Sequence, residues 1–352
     1  MNDKQEVHCI IVSKHDAEKA IRILKKSGIL ATGFKIIRCN DVIKIPITGK
    51  SLPKEVEEDL TKEGVVFKES VDRFEPKTFI KTYKDLIKNM PRSVLDKLPT
   101  SYDIVGEIIL IRIPEELRSY SHIIGNALLN FHKNVKGVYE ILGETYGVER
   151  VTPLKLIAGH KVEKTIYVEH GIKFVVYVGK TYINPSLCFE HARIAKEVYD
   201  GEKVLDMFCG IGGFSLHIAY AKKVEVYATD INPYAIMSLI SSLKINKLKG
   251  KVYPVLGDSS LIYSKFFRGV FDRVIMNLPA YSHVFLKHAC KVLKEDGGVI
   301  HYYRFAESIN EVIYEISRTI NSIRRIVKFL NMRTVLEISP RKRLYVVDVY
   351  VM

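Results

Sequence analysis

Cysteine is scarce in this sequence, and long apolar runs are missing from it. The 352 residues include only five cysteines, which are scattered and form no CxxC pair. Such a set argues against a disulfide framework or a cysteine-based zinc site and predicts a reducing compartment. Residues 105–113, interrupted by Glu107, form the best apolar run, whereas a membrane helix needs about 18 apolar residues. The first residues, MNDKQEVH, lack the features of a secretory signal, so we expect a cytoplasmic protein without a membrane anchor.

Acidic residues are outnumbered in the chain. There are 54 lysines and arginines against 40 aspartates and glutamates, which gives a net charge of +14. Residues 318–343 alone hold eight basic residues and one acid, Glu337. A basic surface of this kind attracts polyanions such as nucleic acids by counterion release. A charged surface of the type found in thermophilic proteins is the alternative, and charge alone leaves both interpretations open.

The order of the predicted elements divides the chain into three parts. Residues 1–72 are predicted to form a small α+β unit, followed by a polar linker over residues 70–77. Residues 73–182 are predicted to form a second α+β part that begins with a helix over residues 78–98. In residues 183–352 strands and helices alternate, which predicts a mostly parallel sheet with helices on both faces. The fold class is therefore α/β of the Rossmann-like type, preceded by α+β domains.

A glycine-rich turn lies between the first strand and the first helix of this α/β part. Residues 206–214 read DMFCGIGGF, so that Asp206 ends the strand and a helix follows the glycines. Gly210 and Gly212 let the backbone approach a ligand closely at the carboxyl end of the sheet. Without further signals, such a turn is compatible with a binding site for NAD, FAD or S-adenosylmethionine.

Polar residues at the ends of the next strands narrow this choice. Asp230 ends the second strand, where a carboxylate accepts hydrogen bonds from a ribose diol. Asp258 ends the third strand and is placed to accept from an adenine amino group. The fourth strand ends in Asn277-Leu278-Pro279, where the amide can donate and accept in the plane of a base. This layout predicts a class I S-adenosylmethionine-dependent methyltransferase. The alternative is that Asp230 and Asp258 only cap helices.

Several segments together resemble the archaeal and eukaryotic tRNA (guanine-37)-N1-methyltransferases. The stretch MNLPAYSHVFLKHACKVLKEDGGVIHYYRF is close to the MNLP and IHYY signature of that family. DMFCGIGGFSL, DINPYAI and SYDIVGEIILIRIPEEL are similar to three further family segments. The short N-terminal unit also fits the family in size and place. The resemblance therefore covers nearly the whole chain, and it implies a class I methyltransferase domain with an antiparallel last strand, preceded by RNA-binding domains.

The resemblance also implies roles for individual residues. Glu190 occupies the position of the family's general base, in a segment shaped S-P-R-x-x-x-E-R-x-R. Arg150, nine residues before Gly159, occupies the position of the catalytic arginine. This chain differs from the family segment at Ser186 and His191. The side chains that surround the general base therefore differ from those of the family. Tyr182, Asn277 and Pro279 complete the expected catalytic set. The residues expected to bind S-adenosylmethionine are Asp206, Phe208, Gly210, Asp230, Ile231, Asp258 and Asn277.

The implied chemistry requires these residue types. Guanine N1 carries a proton at neutral pH, so a carboxylate has to remove it as the methyl group is attacked. Negative charge then develops toward O6, where a fixed guanidinium stabilises it. The sulfonium of S-adenosylmethionine is already activated, and the histidines show no metal-ligand spacing, so we expect no metal site. The expected partner is tRNA with guanosine at position 37, bound by a monomer without a membrane.

Two alternatives stay open at this point. One is a related transferase of the wybutosine pathway, which methylates a tricyclic guanosine-37 derivative at carbon C7, alone or in addition, or transfers an aminocarboxypropyl group. The sister enzyme for the latter reaction is expected to lack Asn277-Leu278-Pro279 at this position. The other alternative is a non-catalytic tRNA-binding protein with a degenerate fold, against which Glu190, Asp230 and Asp258 argue.

Overall fold

The structure is a computed structural model that describes residues 4–77, 81–261, 267–323 and 325–352. The chain divides into two units, Met1–Lys81 and Thr82–Met352. The helix expected over residues 78–98 begins outside the described residues. The rest of that segment contains a 3-10 turn at Tyr83–Leu86 and a short helix, α3 (Arg92–Leu95).

The first unit is one antiparallel sheet with two helices packed against it. The elements are β1 (Gln5–Ser13), α1 (Ala17–Lys26), β2 (Ile37–Arg38), β3 (Val42–Pro46), α2 (Lys54–Lys62) and β4 (Phe67–Phe74). The strand order is β2-β3-β1-β4. Alternate apolar residues of β1, such as Ile10 and Val12, pack on Leu24 of α1 and Leu60 of α2, as expected of a sheet with one buried face.

The linker expected over residues 70–77 is corrected by β4. This strand pairs with β1 along its whole length, from Val12 opposite Phe67 to Gln5 opposite Phe74. Most of the segment is therefore sheet, because β4 is an edge strand whose polar side chains remain largely exposed while Phe74 is buried. A boundary after residue 72 would divide β4, whereas the first unit extends to Lys81.

The second unit begins with a small sheet covered by one helix. Its elements are β5 (Asp103–Val105), β6 (Ile108–Ile111), α4 (Ser121–Phe131), β7 (Gly137–Ile141) and β8 (Leu154–Gly159), with a 3-10 turn at Glu115–Tyr120. The sheet order is β5-β6-β7-β8, and Ile124 and Leu128 of α4 pack on Ile109 and Val138. A hairpin follows, formed by β9 (Lys164–Glu169) and β10 (Ile172–Tyr177).

A seven-stranded sheet forms the rest of the second unit, in the order β13-β12-β11-β14-β15-β17-β16. The first five strands in this order are parallel, β17 is antiparallel to β15, and β16 pairs with β17 at the edge. The expected class I methyltransferase fold with an antiparallel last strand is confirmed. The strands are β11 (Lys203–Asp206), β12 (Glu225–Asp230), β13 (Lys251–Leu256), β14 (Arg273–Met276), β15 (Gly298–Ala306), β16 (Val327–Ser339) and β17 (Lys342–Val351).

Helices cover both faces of this sheet. On one face, the helix residues Leu286 and Ile316 pack against Tyr302 in the centre of the sheet. On the other face, the helix residues Ile194 and Ile218 belong to a second buried cluster. The helices are α5 (Cys188–Glu197), α6 (Gly213–Ala221), α7 (Pro233–Leu243), α8 (Ser282–Val292) and α9 (Ile309–Ser322). None of the helices in the described part of the chain has the length and apolar character needed to cross a membrane.

Candidate active site

The glycine turn after β11 brings the backbone close to two neighbouring elements. Gly210 and Gly212 have φ angles of +54° and +94°, in the left-handed region that favours glycine. A Cβ atom at Gly212 would come within 2.5 Å of Leu239 Cδ1 on α7. The Gly210 N–H donates to Asp230 Oδ2 at 2.8 Å, so the turn is held against the end of β12.

Asp230 is fixed by backbone donors. Its Oδ2 accepts from Gly210, and its Oδ1 accepts from the Asn232 N–H at 2.9 Å. The cap of α7 is Asn232, whose side-chain oxygen accepts from the N–H groups of Tyr234 and Ala235. The alternative that Asp230 only caps this helix is therefore wrong. Burial raises the pKa of the Asp230 carboxyl, against the hydrogen bonds from the backbone.

Asp258 is different, because part of its hydrogen-bonding capacity is used locally. Its Oδ1 accepts from the N–H of Ser260 at 2.8 Å and from the Ser260 hydroxyl at 2.7 Å. This is the pattern of an aspartate at the start of a turn. Asp258 nevertheless lines the same cavity as Asp230.

Asp206 lies under the cavity and does not line it. Its side chain is fully buried, and Oδ2 accepts from the Ser215 hydroxyl at 2.7 Å. Burial, with a further contribution from the charge of Asp230, raises the pKa of Asp206 to about 7. This carboxyl group therefore braces α6 against the end of β11.

A single cavity collects most of the predicted site residues at the carboxyl ends of the parallel strands, the edge where α/β sheets bind ligands. Phe208 closes one side, with its ring packed edge-on at 5.0 Å from Phe285 of α8. The predicted residues that line the cavity are Arg150, Tyr182, Phe208, Gly210, Asp230, Ile231, Asp258, Asn277 and Pro279.

The Asn277-Leu278-Pro279 loop is held by contacts that the sequence did not indicate. The Ser282 hydroxyl lies within hydrogen-bonding distance of the carbonyl oxygens of Met276 and Leu278. Arg304 on β15 donates to the carbonyl oxygens of Pro279 and Ala280 at 3.1 and 3.2 Å and pairs with Glu315 of α9. These contacts hold the loop in one position at the carboxyl ends of the parallel strands.

Asn232 connects the segments that carry Arg150 and Tyr182 to the strand edge. Its amide donates to the carbonyl oxygen of Glu149 at 3.1 Å and to that of Lys180 at 2.9 Å. Arg150 has a φ of +52° and donates to the Thr145 hydroxyl at 3.3 Å. The sequence placed Asn232 in the DINP segment, but its role in holding these loops was missed.

Glu190 is not brought into the cavity with the other residues. It is 2% exposed and lies in the first turn of α5. Its Oε1 accepts from Arg193 Nη2 and from the Tyr303 hydroxyl, both at 2.6 Å. Its Oε2 contacts the guanidinium of Arg333 on β16. Arg193 and Tyr303 thus hold Oε1, whereas Oε2 lies against Arg333 without a hydrogen bond of normal geometry to any described residue. The spacing of Glu190 along the sequence gave no signal of this setting.

Comparison with known proteins identifies three domains in this order along the chain. The tRNA methyltransferase 5 N-terminal domain matches residues 9–55, and the TYW2 N-terminal domain matches residues 83–162. The TRM5/TYW2 methyltransferase domain matches residues 165–335.

Individual relatives extend over most of the chain. The chain is 41% identical to a protein of Pyrococcus abyssi named tRNA (guanine(37)-N(1))-methyltransferase Trm5b, over 76% of this chain and 79% of that protein. A solved complex of aTrm5 with tRNALeu has a TM-score of 0.76 and 30% identity, covering 97% of this chain and 99% of that one. A tRNA(Phe) (4-demethylwyosine(37)-C(7)) aminocarboxypropyltransferase of Pyrococcus horikoshii is 31% identical over 62% of this chain and 76% of that protein.

Proposed function

Because this chain belongs to the tRNA (guanine-37)-N1-methyltransferase family, we propose that it transfers the methyl group of S-adenosylmethionine to N1 of guanosine-37 in tRNA. The observation that carries the proposal is the joint lining of one cavity by Asp230, Asp258 and Asn277-Leu278-Pro279. The first two suit a nucleoside donor, and the third suits a planar base. A nucleoside cofactor and a target base therefore meet at the same strand edge.

The residues present fit S-adenosylmethionine. Gly210 lines the cavity, and a Cβ atom there would meet no atom within 4 Å, so the turn leaves room for a ligand beside its backbone. The Asp230 carboxylate lines the same cavity from a fixed position. Phe208, Gly210, Ile231 and Asp258 would hold the rest of the cofactor. When bound, the cofactor supplies an electrophilic methyl group on a sulfonium.

In the proposal, the target base is bound by a second set of residues, opposite those that hold the cofactor. In the proposal, Asn277 pairs in the plane of the guanine, and Pro279 keeps the loop rigid. The Arg150 guanidinium donates to O6, where charge develops as N1 loses its proton. Tyr182, which is partly exposed at the cavity wall, contacts the base as it leaves its stack in the RNA.

Glu190 is proposed as the base that takes the N1 proton. This role requires that the Arg333 side chain moves away when RNA is bound, because its guanidinium lies against Oε2 in the protein without RNA. Arg193 and Tyr303 would then hold Oε1 and leave Oε2 to accept the proton.

A monomeric enzyme acting in the cytoplasm stays a prediction, which sedimentation of the protein with tRNA and localisation in cells would test.

The test is to incubate the protein with S-adenosylmethionine and unmodified tRNA and to identify the nucleoside at position 37 by mass spectrometry. We expect 1-methylguanosine, and an unchanged guanosine would contradict the proposal.

The match of residues 83–162 to the TYW2 N-terminal domain favours a second candidate, a transferase for a tricyclic guanosine derivative. A parallel reaction with tRNA that carries 4-demethylwyosine distinguishes C7 methylation and aminocarboxypropyl transfer by the mass of the product.

A further inference from the structure

Three buried side chains that can bind metals converge behind the cavity, on three separate elements. They are Glu169 at the end of β9, His191 on α5 and His217 on α6. Glu169 Oε2 lies 2.9 Å from His191 Nδ1 and 3.6 Å from His217 Nε2. One ligand atom from each residue lies within 4.8 Å of the others, so a modest inward movement would bring all three onto one ion.

His217 presents an unused ligand atom to this cluster. Its Nδ1 lies 2.8 Å from the carbonyl oxygen of Gly213 and must carry the proton, because a carbonyl can only accept. Its Nε2 then carries a lone pair. That nitrogen is buried in a residue that is only 4% exposed, and it has no hydrogen-bond partner among the described residues. An orphaned buried polar atom is costly, and here it points to a missing partner.

A second cluster, of two carboxylates and one imidazole, shows what such a group looks like when a cation already occupies it. Glu197, His301 and Asp348 also lie within 4.8 Å of one another. There, Arg273 Nη1 lies 2.7 Å from His301 Nε2, and His301 Nδ1 lies 2.6 Å from Asp348 Oδ1. A guanidinium already occupies the position of a cation in that cluster. In the described part of the chain, the ion pairs of Glu169 are with the two histidines alone.

We propose that Glu169, His191 and His217 bind one divalent ion of the zinc type, which displaces to solvent the proton that His191 Nδ1 donates to Glu169 in the metal-free protein. Two imidazoles and one carboxylate are a common zinc donor set, which leaves a fourth position for water. Glu169 and His191 also line the cavity, so the ion would lie at the cavity wall. The bond from His217 to Gly213 is the kind of outer contact that orients a metal-bound histidine.

The ion would fasten the start of α5 to the rest of the site. A Cβ atom at Gly213 would lie 2.5 Å from His191 Cε1, so this glycine makes room for the imidazole. The residue before His191 is Glu190. A metal on His191 therefore holds the first turn of α5 to β9 and α6. Spacing along the sequence gave no sign of this site, because its ligands come from a hairpin and two helices.

The test uses the full chain, stripped of metal with EDTA and then titrated with Zn²⁺ in competition with a chromophoric chelator. We expect one Zn²⁺ per chain and a rise in the melting temperature on binding. Loss of a group that only supports a ligand costs about 10–100-fold in metal affinity, so Glu169→Gln and His217→Gln should each weaken Zn²⁺ binding by roughly 100-fold or more. The control is His160→Gln at an exposed histidine, which should bind Zn²⁺ like the unaltered chain.

Two results of the Zn²⁺ titration would overturn the proposal. One is an unaltered chain that binds Zn²⁺ no more tightly than His217→Gln does, and the other is stoichiometric binding that survives both substitutions. Circular dichroism shows whether each variant is folded. If His217→Gln does not fold, His191→Gln replaces it, and Co²⁺ absorption in the unaltered chain gives a second readout. A four-coordinate site gives visible bands with Co²⁺, and their absence would equally overturn the proposal.

Discussion

Asp206 is a carboxyl group whose burial has a consequence for stability. Its pKa is raised to about 7 in the folded protein by burial, against about 4 for an exposed aspartate. The folded state therefore binds a proton that the unfolded state releases above about pH 4. The stability from this group is complete at low pH and is lost as the pH rises toward 7.

The substitution Asp206→Asn should remove this dependence while keeping an acceptor for Ser215. We expect the variant without cofactor to gain stability relative to the natural chain at pH 8, by up to about 4 kcal/mol for a shift of roughly three pKa units, and to differ little at pH 4. Denaturant unfolding at both pH values measures the gain. Asp296→Asn, at an exposed aspartate, is the control, and an equal change in both variants would contradict the role of burial.

Glu190 allows a second test at the scale of one residue. Glu190→Gln keeps the shape of the side chain but cannot take a proton. We expect single-turnover methyl transfer to fall by about 10²–10⁴-fold, the usual range for loss of a general base, with S-adenosylmethionine affinity nearly unchanged. Rapid quench with labelled cofactor measures the rate. Transfer at the natural rate would assign the base to another group.

At the scale of elements, the loop Asn277-Leu278-Pro279 depends on β15. Arg304→Met removes the two hydrogen bonds to the carbonyl oxygens of Pro279 and Ala280. Hydrogen bonds to charged groups are worth about 1.5–3 kcal/mol, so methyl transfer should slow by roughly 10–100-fold while cofactor affinity stays the same. Single-turnover kinetics and calorimetry check the two parts. Arg22→Met in the first unit is the control, and an equal loss there would show a general effect of lost charge.

The elements also show how far sequence patterns reach. The strands β11 and β14 were predicted because they are short apolar runs, as expected of parallel strands buried on both faces. The helix α9 was predicted because its buried residues recur at the helical period. β16 was missed, since this edge strand has three register irregularities against β17 and mixes Lys328 and Arg333 with apolar residues. Both faces of a twisted edge strand remain partly exposed to solvent, so the apolar residues of the strand follow no single period.

The site residues likewise include some that sequence patterns predict and some that they do not. The strand-end residues Asp230, Asp258 and Asn277 were predictable because parallel strands end at one edge of a sheet. The burial of Glu190 and the meeting of His191 with His217 were not, because they depend on how helices pack on a hairpin distant in sequence. The pairing of Arg333 with Glu190 likewise needs β16 in place.

At the scale of the whole molecule, the two units should be separable. Every described residue that lines the cavity lies in the second unit. A protein that begins at Thr82 should therefore fold and bind S-adenosylmethionine with unchanged affinity. It should bind tRNA roughly 10-fold or more weakly and with a shallower dependence on salt, because the phosphate contacts that we expect of the first unit would be lost. Calorimetry and filter binding at several salt concentrations test this, and a folded truncation that no longer binds cofactor would contradict it.

The complete enzyme should distinguish its substrate by the edge of the base at position 37. Inosine keeps the N1 proton and O6, so tRNA with inosine-37 should be methylated. Adenosine-37 should be refused, because its N1 has no proton for Glu190 and its amino group would meet Arg150, donor against donor. Each unpaired buried group costs about 1–3 kcal/mol, which compounds to strong discrimination. Single-turnover rates on the three tRNAs measure it, with Arg150→Ala expected to slow the guanosine reaction without changing cofactor affinity. Efficient methylation of adenosine-37 would leave only a less specific RNA methyltransferase.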